Sequence, residues 1–203
     1  FMKNIITFLS LFLIIFTSNS FSKIETKKVK KHNIELIKFQ SPDNKFPNKD
    51  DIVAQIHFPK NFSGKLPVII HQHGSSRDGM KFKKWGGKTD EWGKRISKEA
   101  IKRGYAVVLI DAFYKRGITP QNKGKFPNAV YIAVNLKNIL QKDERFDKNK
   151  FYYTGFSYGA SQTLKFQDKR LSGLKDNFKA VVAGEPGCNA VSNPTKSSVS
   201  TLI

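Results

Sequence analysis

The sequence is short of several residue types that would make it easy to classify. It holds one cysteine, Cys188, so no disulfide framework can close within the chain. A single thiol of this kind is buried, bridges to another molecule, or is half of a pair whose other half is missing. Long apolar runs are also lacking: the longest, Ile5–Phe16, falls below the roughly 20 residues that span a bilayer. Arginine is limited to Arg77, Arg95, Arg103, Arg116, Arg145 and Arg170, so the net charge of +20 is mostly lysine, scattered over every segment. Surfaces that bind nucleic acid favour arginine forks interleaved with stacking aromatics. Here lysine accompanies Ile, Asn and Phe, residues that share A/T-rich codons, so compositional bias is expected and a nucleic-acid partner is not. Histidine stops early: His32, His57, His71 and His73 are all there are.

What is present begins with a leader. Lys3 and Asn4 precede the apolar run, and Thr17–Ser22 supplies small residues, the pattern of a secretory signal cleaved after Ser20 or Ser22. Residues 1–22 are therefore expected to be a signal peptide and 23–203 one domain, exported to the periplasm or secreted, with no stable membrane span after signal removal. Phe1 stands ahead of Met2, so the first residue is not expected to be the start codon.

Beyond a basic, polar approach at Lys23–Lys31, Asn33–Phe39 and Ile52–Phe58 read as strands forming an antiparallel pair around a Pro-containing loop. Pro67–Gln72, Tyr105–Ile110, Phe151–Thr154 and Phe178–Ala183 are short apolar runs of the kind buried in a sheet centre. Between them lie amphipathic helices at Asp90–Arg103, Asn128–Leu140 and Tyr158–Gln167, the first stopped by Gly104. Strands alternating with helices of this length predict an α/β fold whose mostly parallel sheet is covered on both faces. No internal repeat or low-complexity segment is visible.

The chemistry concentrates in Gly155-Phe156-Ser157-Tyr158-Gly159, with a strand before it and a helix after. A serine on so sharp a turn needs glycines two before and two after to relieve the clash, and it projects its hydroxyl from the top of the sheet as a nucleophile. The helix N-terminus behind it favours negative charge beside an attacked carbonyl. The plainer alternative is a serine that merely caps the helix. An oxyanion hole would take the backbone N–H of Tyr158, next after the nucleophile, and that of Ser75 from the His73-Gly74-Ser75-Ser76 loop. His71 and His73 stand two apart on a strand, yet no carboxylate or third ligand accompanies them, so no metal site is expected. His73 is expected to brace its loop. Trp85, Trp92, Phe113 and Tyr158 are candidate pocket walls, with core packing the expected role of Trp92.

The segments "LPVIIHQHGSSRDG", "EWGKRISKEAIKRGYAVVLIDAFYKRG", "FYYTGFSYGASQTL" and "KAVVAGEPGC" together resemble the α/β-hydrolases. Within that fold the chain is similar to the dienelactone hydrolase family, particularly its exported members. The resemblance covers Leu66 to about Cys188. It implies a serine hydrolase acting on small ester-type substrates through an acyl-enzyme, without a cofactor. The founding members carry cysteine at the position of Ser157, so a general esterase activity is favoured over dienelactone itself. The resemblance also implies an acid and a histidine after the nucleophile. Only Asp168, Asp176 and Glu185 follow it as acids, and no histidine does. Three accounts stand: the last two strands, with the acid and the base, lie beyond Ile203 and hold the partner of Cys188; the triad has been lost, leaving a binding protein; or His73 serves as base from an atypical position.

Overall fold

The computed structural model describes residues 24–29, 33–82, 84–119, 121, 125–187, 189–191 and 200–202. The expected leader, His32, Cys188 and the side chain of Asp176 lie outside the described residues. The chain opens with strands β1 (Glu25–Val29), β2 (Ile34–Gln40) and β3 (Asp51–His57), each antiparallel to the next. The pairing of β2 with β3 is the one anticipated. β1 is a correction, since Lys23–Lys31 shows no apolar alternation. It lies at the sheet edge, where charged side chains are tolerated, and Lys38 of β2 reaches its register partner Glu25 at 2.9 Å.

Then come β4 (Leu66–Gln72), a small hairpin of β5 (Met80–Lys81) and β6 (Lys88–Thr89), helix α1 (Glu91–Lys102), and β7 (Ala106–Asp111), buried along its whole length. Asp90 caps α1 by accepting from the Gly93 amide, and Gly104, at φ 81°, ends it. Helix α2 (Ala129–Leu140), strand β8 (Phe146–Phe156), helix α3 (Tyr158–Leu164) with 3-10 turns at Lys165–Gln167 and Lys169–Asn177, β9 (Ala180–Gly184) and β10 (Ser200–Leu202) follow. β8 starts earlier than its apolar run because a register shift opposite Leu66 and Val68 lets the exposed Lys148–Lys150 stretch bulge out. Pro67, which has no N–H to give, sits at that irregularity. β10 follows the strands that the sequence offered.

The strand order is β1-β2-β3-β7-β4-β8-β9-β10, with β7 through β10 mutually parallel. Helices α2 and α3 cover one face, where Val68, Ile70, Tyr153, Leu136 and Phe166 share a core. Helix α1 covers the other, over Leu36, Val107 and Leu109. After β4 the chain steps sideways to β7, then crosses back over β4 to β8. The loops leaving β4 and β8 therefore diverge, and open parallel sheets form their ligand crevices at such a reversal.

Candidate active site

At that reversal stands Ser157, between β8 and α3, with φ 50° and ψ −109°. An L-residue rarely adopts this conformation, which costs on the order of 1–3 kcal/mol. The two glycines make it sterically possible. A Cβ at Gly155 would strike the backbone of Gly159 and Ala160, and one at Gly159 would strike the carbonyl of Gln72 in β4. The turn is anchored by the Ser157 amide donating to the Gly184 carbonyl at 2.9 Å and the Ser161 amide donating to the Ser157 carbonyl at 2.9 Å. The Ser157 hydroxyl makes no capping bond to α3, so the helix-cap alternative does not describe it.

Ser157 opens into a cleft of about 390 Å³. Ser75 and Tyr158 line it with Ser157, so the three residues singled out in the sequence meet in one place. Gly74 lies against the elbow: a Cβ there would sit 3.4 Å from the Ser157 Cβ. The Tyr158 ring turns into the core and donates its hydroxyl to the Pro127 carbonyl at 2.7 Å. Burial raises that phenol well above its ordinary pKa.

The loop carrying Ser75 is held by two buried acids. Asp90 accepts from the amides of Gly74 and Gly93 and from His71 Nε2, the last at 2.9 Å. Burial alone would raise its carboxyl, but the His71 and amide hydrogen bonds outweigh that and hold it below the usual value. Asp111 behaves likewise: burial works to raise it, while the Arg77 guanidinium and the Lys88 amide bring it lower. His73 donates from Nδ1 to the Gly74 carbonyl at 2.6 Å and accepts at Nε2 from the Ala112 amide at 3.2 Å. With both ring nitrogens committed and no exposure, it braces the loop as expected and does not face Ser157 as a base. His71 is tied to Asp90, and His57 sits on β3 beside Gln55 at 2.7 Å. Among the described residues no three His, Cys, Asp or Glu side chains converge as metal ligands.

The acids after the elbow stand apart. Asp168 is bound by Arg170, and Glu185, at φ 55°, points into solvent from the tip of β9. Of the aromatic candidates, Tyr158 alone lines the cleft. Phe113 is core, and Trp85 lies under Lys27 and Lys38 near the β1–β2 edge. Trp92 is a correction: it is 38% exposed and stacks on Phe156 at 5.5 Å, because the first turn of α1 overhangs the sheet end. The sequence reading passed over Lys45, Phe126, Ser161, Gln162, Lys165 and Gly187, which complete the cleft wall. Ser161 and Lys165 follow Ser157 at steps of four, a helical stripe that could have marked them.

No protein-family model and no curated protein matches the chain. Solved structures do match in shape. An acetyl xylan esterase from Paenibacillus sp. R4 aligns with 14% identity and TM-score 0.53, over 82% of this chain and 54% of that one. A protein described as a dienelactone hydrolase from Klebsiella pneumoniae gives 18% and 0.52, over 82% and 65%. A hyperthermophilic esterase from the archaeon Pyrobaculum calidifontis gives 20% and 0.53, over 81% and 47%. At such identities the likeness concerns the fold alone, and this chain spans less than two thirds of each of those structures. Among the described residues no helix is long and apolar enough to cross a membrane.

Proposed function

We propose that this chain, whose fold is that of the α/β-hydrolases, carries the nucleophile and oxyanion half of a serine hydrolase for small ester-type substrates. The observation that carries the reading is the left-handed backbone of Ser157, cleared by Gly155 and Gly159, at the sheet reversal beside Ser75. On this reading the Ser157 oxygen attacks the ester carbonyl, and the amides of Tyr158 and Ser75 receive the developing negative oxygen. The alcohol then leaves with the proton, and water hydrolyses the acyl-enzyme. The proton needs a base, and among the described residues no imidazole lines the cleft. We assign base and acid to residues following Ile203 in a longer protein, exported by the leader at 1–22, with a general ester favoured over dienelactone.

A fluorophosphonate probe tests the reading on the product of the extended reading frame. Labelling is expected at Ser157 and lost in Ser157→Ala; a folded protein that stays unlabelled refutes it. That second outcome favours a non-catalytic binding protein on the same scaffold.

A further inference from the structure

We infer that a groove at the pole of the sheet opposite Ser157 binds a flat aromatic carboxylate, its ring laid on Phe62 and its charge met by Lys28 and Lys60. The groove measures about 530 Å³ and runs between the strand pair β1–β2 and the turn 58–64 that follows β3. Strand β8 begins at this pole with Phe146 and ends beside Ser157. Its 11 residues, at ~3.3 Å each, separate the two sites by on the order of 30 Å. The groove would therefore take its ligand whether or not Ser157 is a nucleophile.

Three rings lead from the core to this groove. Phe146, Phe58 and Phe62 lie nearly parallel, with successive centroids 5.9 and 6.0 Å apart and planes 11° and 16° apart. Phe146 is fully buried, Phe58 nearly so, and Phe62 is 41% exposed. The row thus ends bare at the surface, and among the described residues no ring but Phe58 stacks on Phe62. Offset stacks at this spacing favour another flat ring as the next member. Arg145 adds a second planar surface. Its guanidinium stands 4.7 Å over Phe58 and is fixed by Glu35, at 2.8 Å to each oxygen, and by Asp143 at 2.7 Å.

Charge then narrows the ligand. Arg145 is spent on its two carboxylates, and Glu35 is the one acid lining the groove. Both Glu35 oxygens already accept from Arg145, with Lys28 Nζ 3.9 Å from Oε1. Lys60 has no carboxylate partner among the described residues. The Lys28 side chain is 83% exposed, so an anion gains from these lysines only what a surface pair gives, and ring stacking supplies the rest. An acidic sugar fits less well. Asn33 is the one neutral amide lining the groove, and its Nδ2 donates to the Pro59 carbonyl at 3.1 Å, which leaves few partners for hydroxyls. A lipid surface would meet a convex apolar patch, whereas this slot is concave and holds one or two fused rings.

The test titrates 2-naphthoate into the 203-residue chain and follows amide resonances. Saturable shifts are expected at Lys60, Asn61 and Phe62, with Ser161 and Gln162 unmoved. Cyclohexanecarboxylate has the charge without the flat ring, and should bind about fivefold more weakly. The alcohol 2-naphthalenemethanol has the ring without the charge, and should bind about threefold more weakly. Salt should weaken the naphthoate and leave the alcohol unchanged. Phe62→Ala, at an exposed turn position, should weaken naphthoate about fivefold, and Lys60→Gln about threefold. Tyr131→Ala, which removes an exposed ring from α2, should leave it unchanged. Absence of a saturable shift, shifts confined to the cleft at Ser157, or affinity unmoved in both Phe62→Ala and Lys60→Gln overturns the inference. Equal affinity for cyclohexanecarboxylate, or tighter binding of a galacturonate oligomer than of naphthoate, overturns it as well.

Discussion

Replacing Ser157 with glycine is expected to stabilise the protein while deleting its candidate nucleophile. The residue holds φ 50° and ψ −109°, where a Cβ crowds the backbone, and such a conformation costs about 1–3 kcal/mol. Glycine removes that strain but frees the unfolded chain, which takes back about 0.5–1 kcal/mol. The balance is a gain of about 1 kcal/mol, or about 2–4 °C in Tm for a domain of this size. Ser157→Ala is the matched control. It loses a hydroxyl that caps nothing in α3 and keeps the Cβ, so it should lie within about 0.5 kcal/mol of wild type. Urea denaturation followed by circular dichroism would place the midpoints with glycine highest and alanine near wild type. At a relaxed site the order is the reverse, with alanine above glycine. Alanine equal to or above glycine here would mean the corner is unstrained, and the case for a poised serine would fall with it.

Gly159→Ala pushes a Cβ into the β4 backbone at the Gln72 carbonyl, which cannot rotate away. A loss of about 3 kcal/mol in the same denaturation assay is expected, whereas Gly173→Ala, with open space around it, should cost less than about 0.5. Asp90→Asn removes the charge that accepts from His71, Gly74 and Gly93 and should cost about 1.5–3 kcal/mol at neutral pH. Because the folded Asp90 carboxyl lies below its ordinary value, its contribution is full above about pH 4 and is lost as pH falls toward the folded pKa. The variant should therefore show a shallower decline in acid than wild type in a pH series of melting curves. Tyr158→Phe strands the Pro127 carbonyl and should lower stability by about 1–3 kcal/mol, with no change in the pH profile between 5 and 9.

What the sequence made legible was what local sterics and patterning encode. Ala106–Asp111 is a continuous apolar run, and it is a strand buried from end to end. The glycines around Ser157 are a steric statement written in five residues, and the structure places their Cβ-free sides where backbone passes. β1 escaped notice because an edge strand needs no apolar face, and its ion pair with Lys38 involves a residue distant in sequence. The hairpin at Met80–Lys81 and Lys88–Thr89 is too short to show a period. Trp92 kept step with Ile96 and Ala100, but periodicity cannot say that the first turn of a helix projects past its sheet. The cleft draws Lys45, Phe126 and Lys165 from separate segments, and only the folded chain makes them neighbours.

The order of strands also has a cost during synthesis. Among the described strands β4 pairs with β7 and β8, both of which leave the ribosome after it. At roughly 5–20 residues per second, its aliphatic stretch waits about 2–8 seconds for β7 and about twice that for β8. A newborn chain in that interval presents a sticky ribbon to its neighbours on the polysome. Slower translation or crowded expression would be felt first there, in material lost to inclusion bodies.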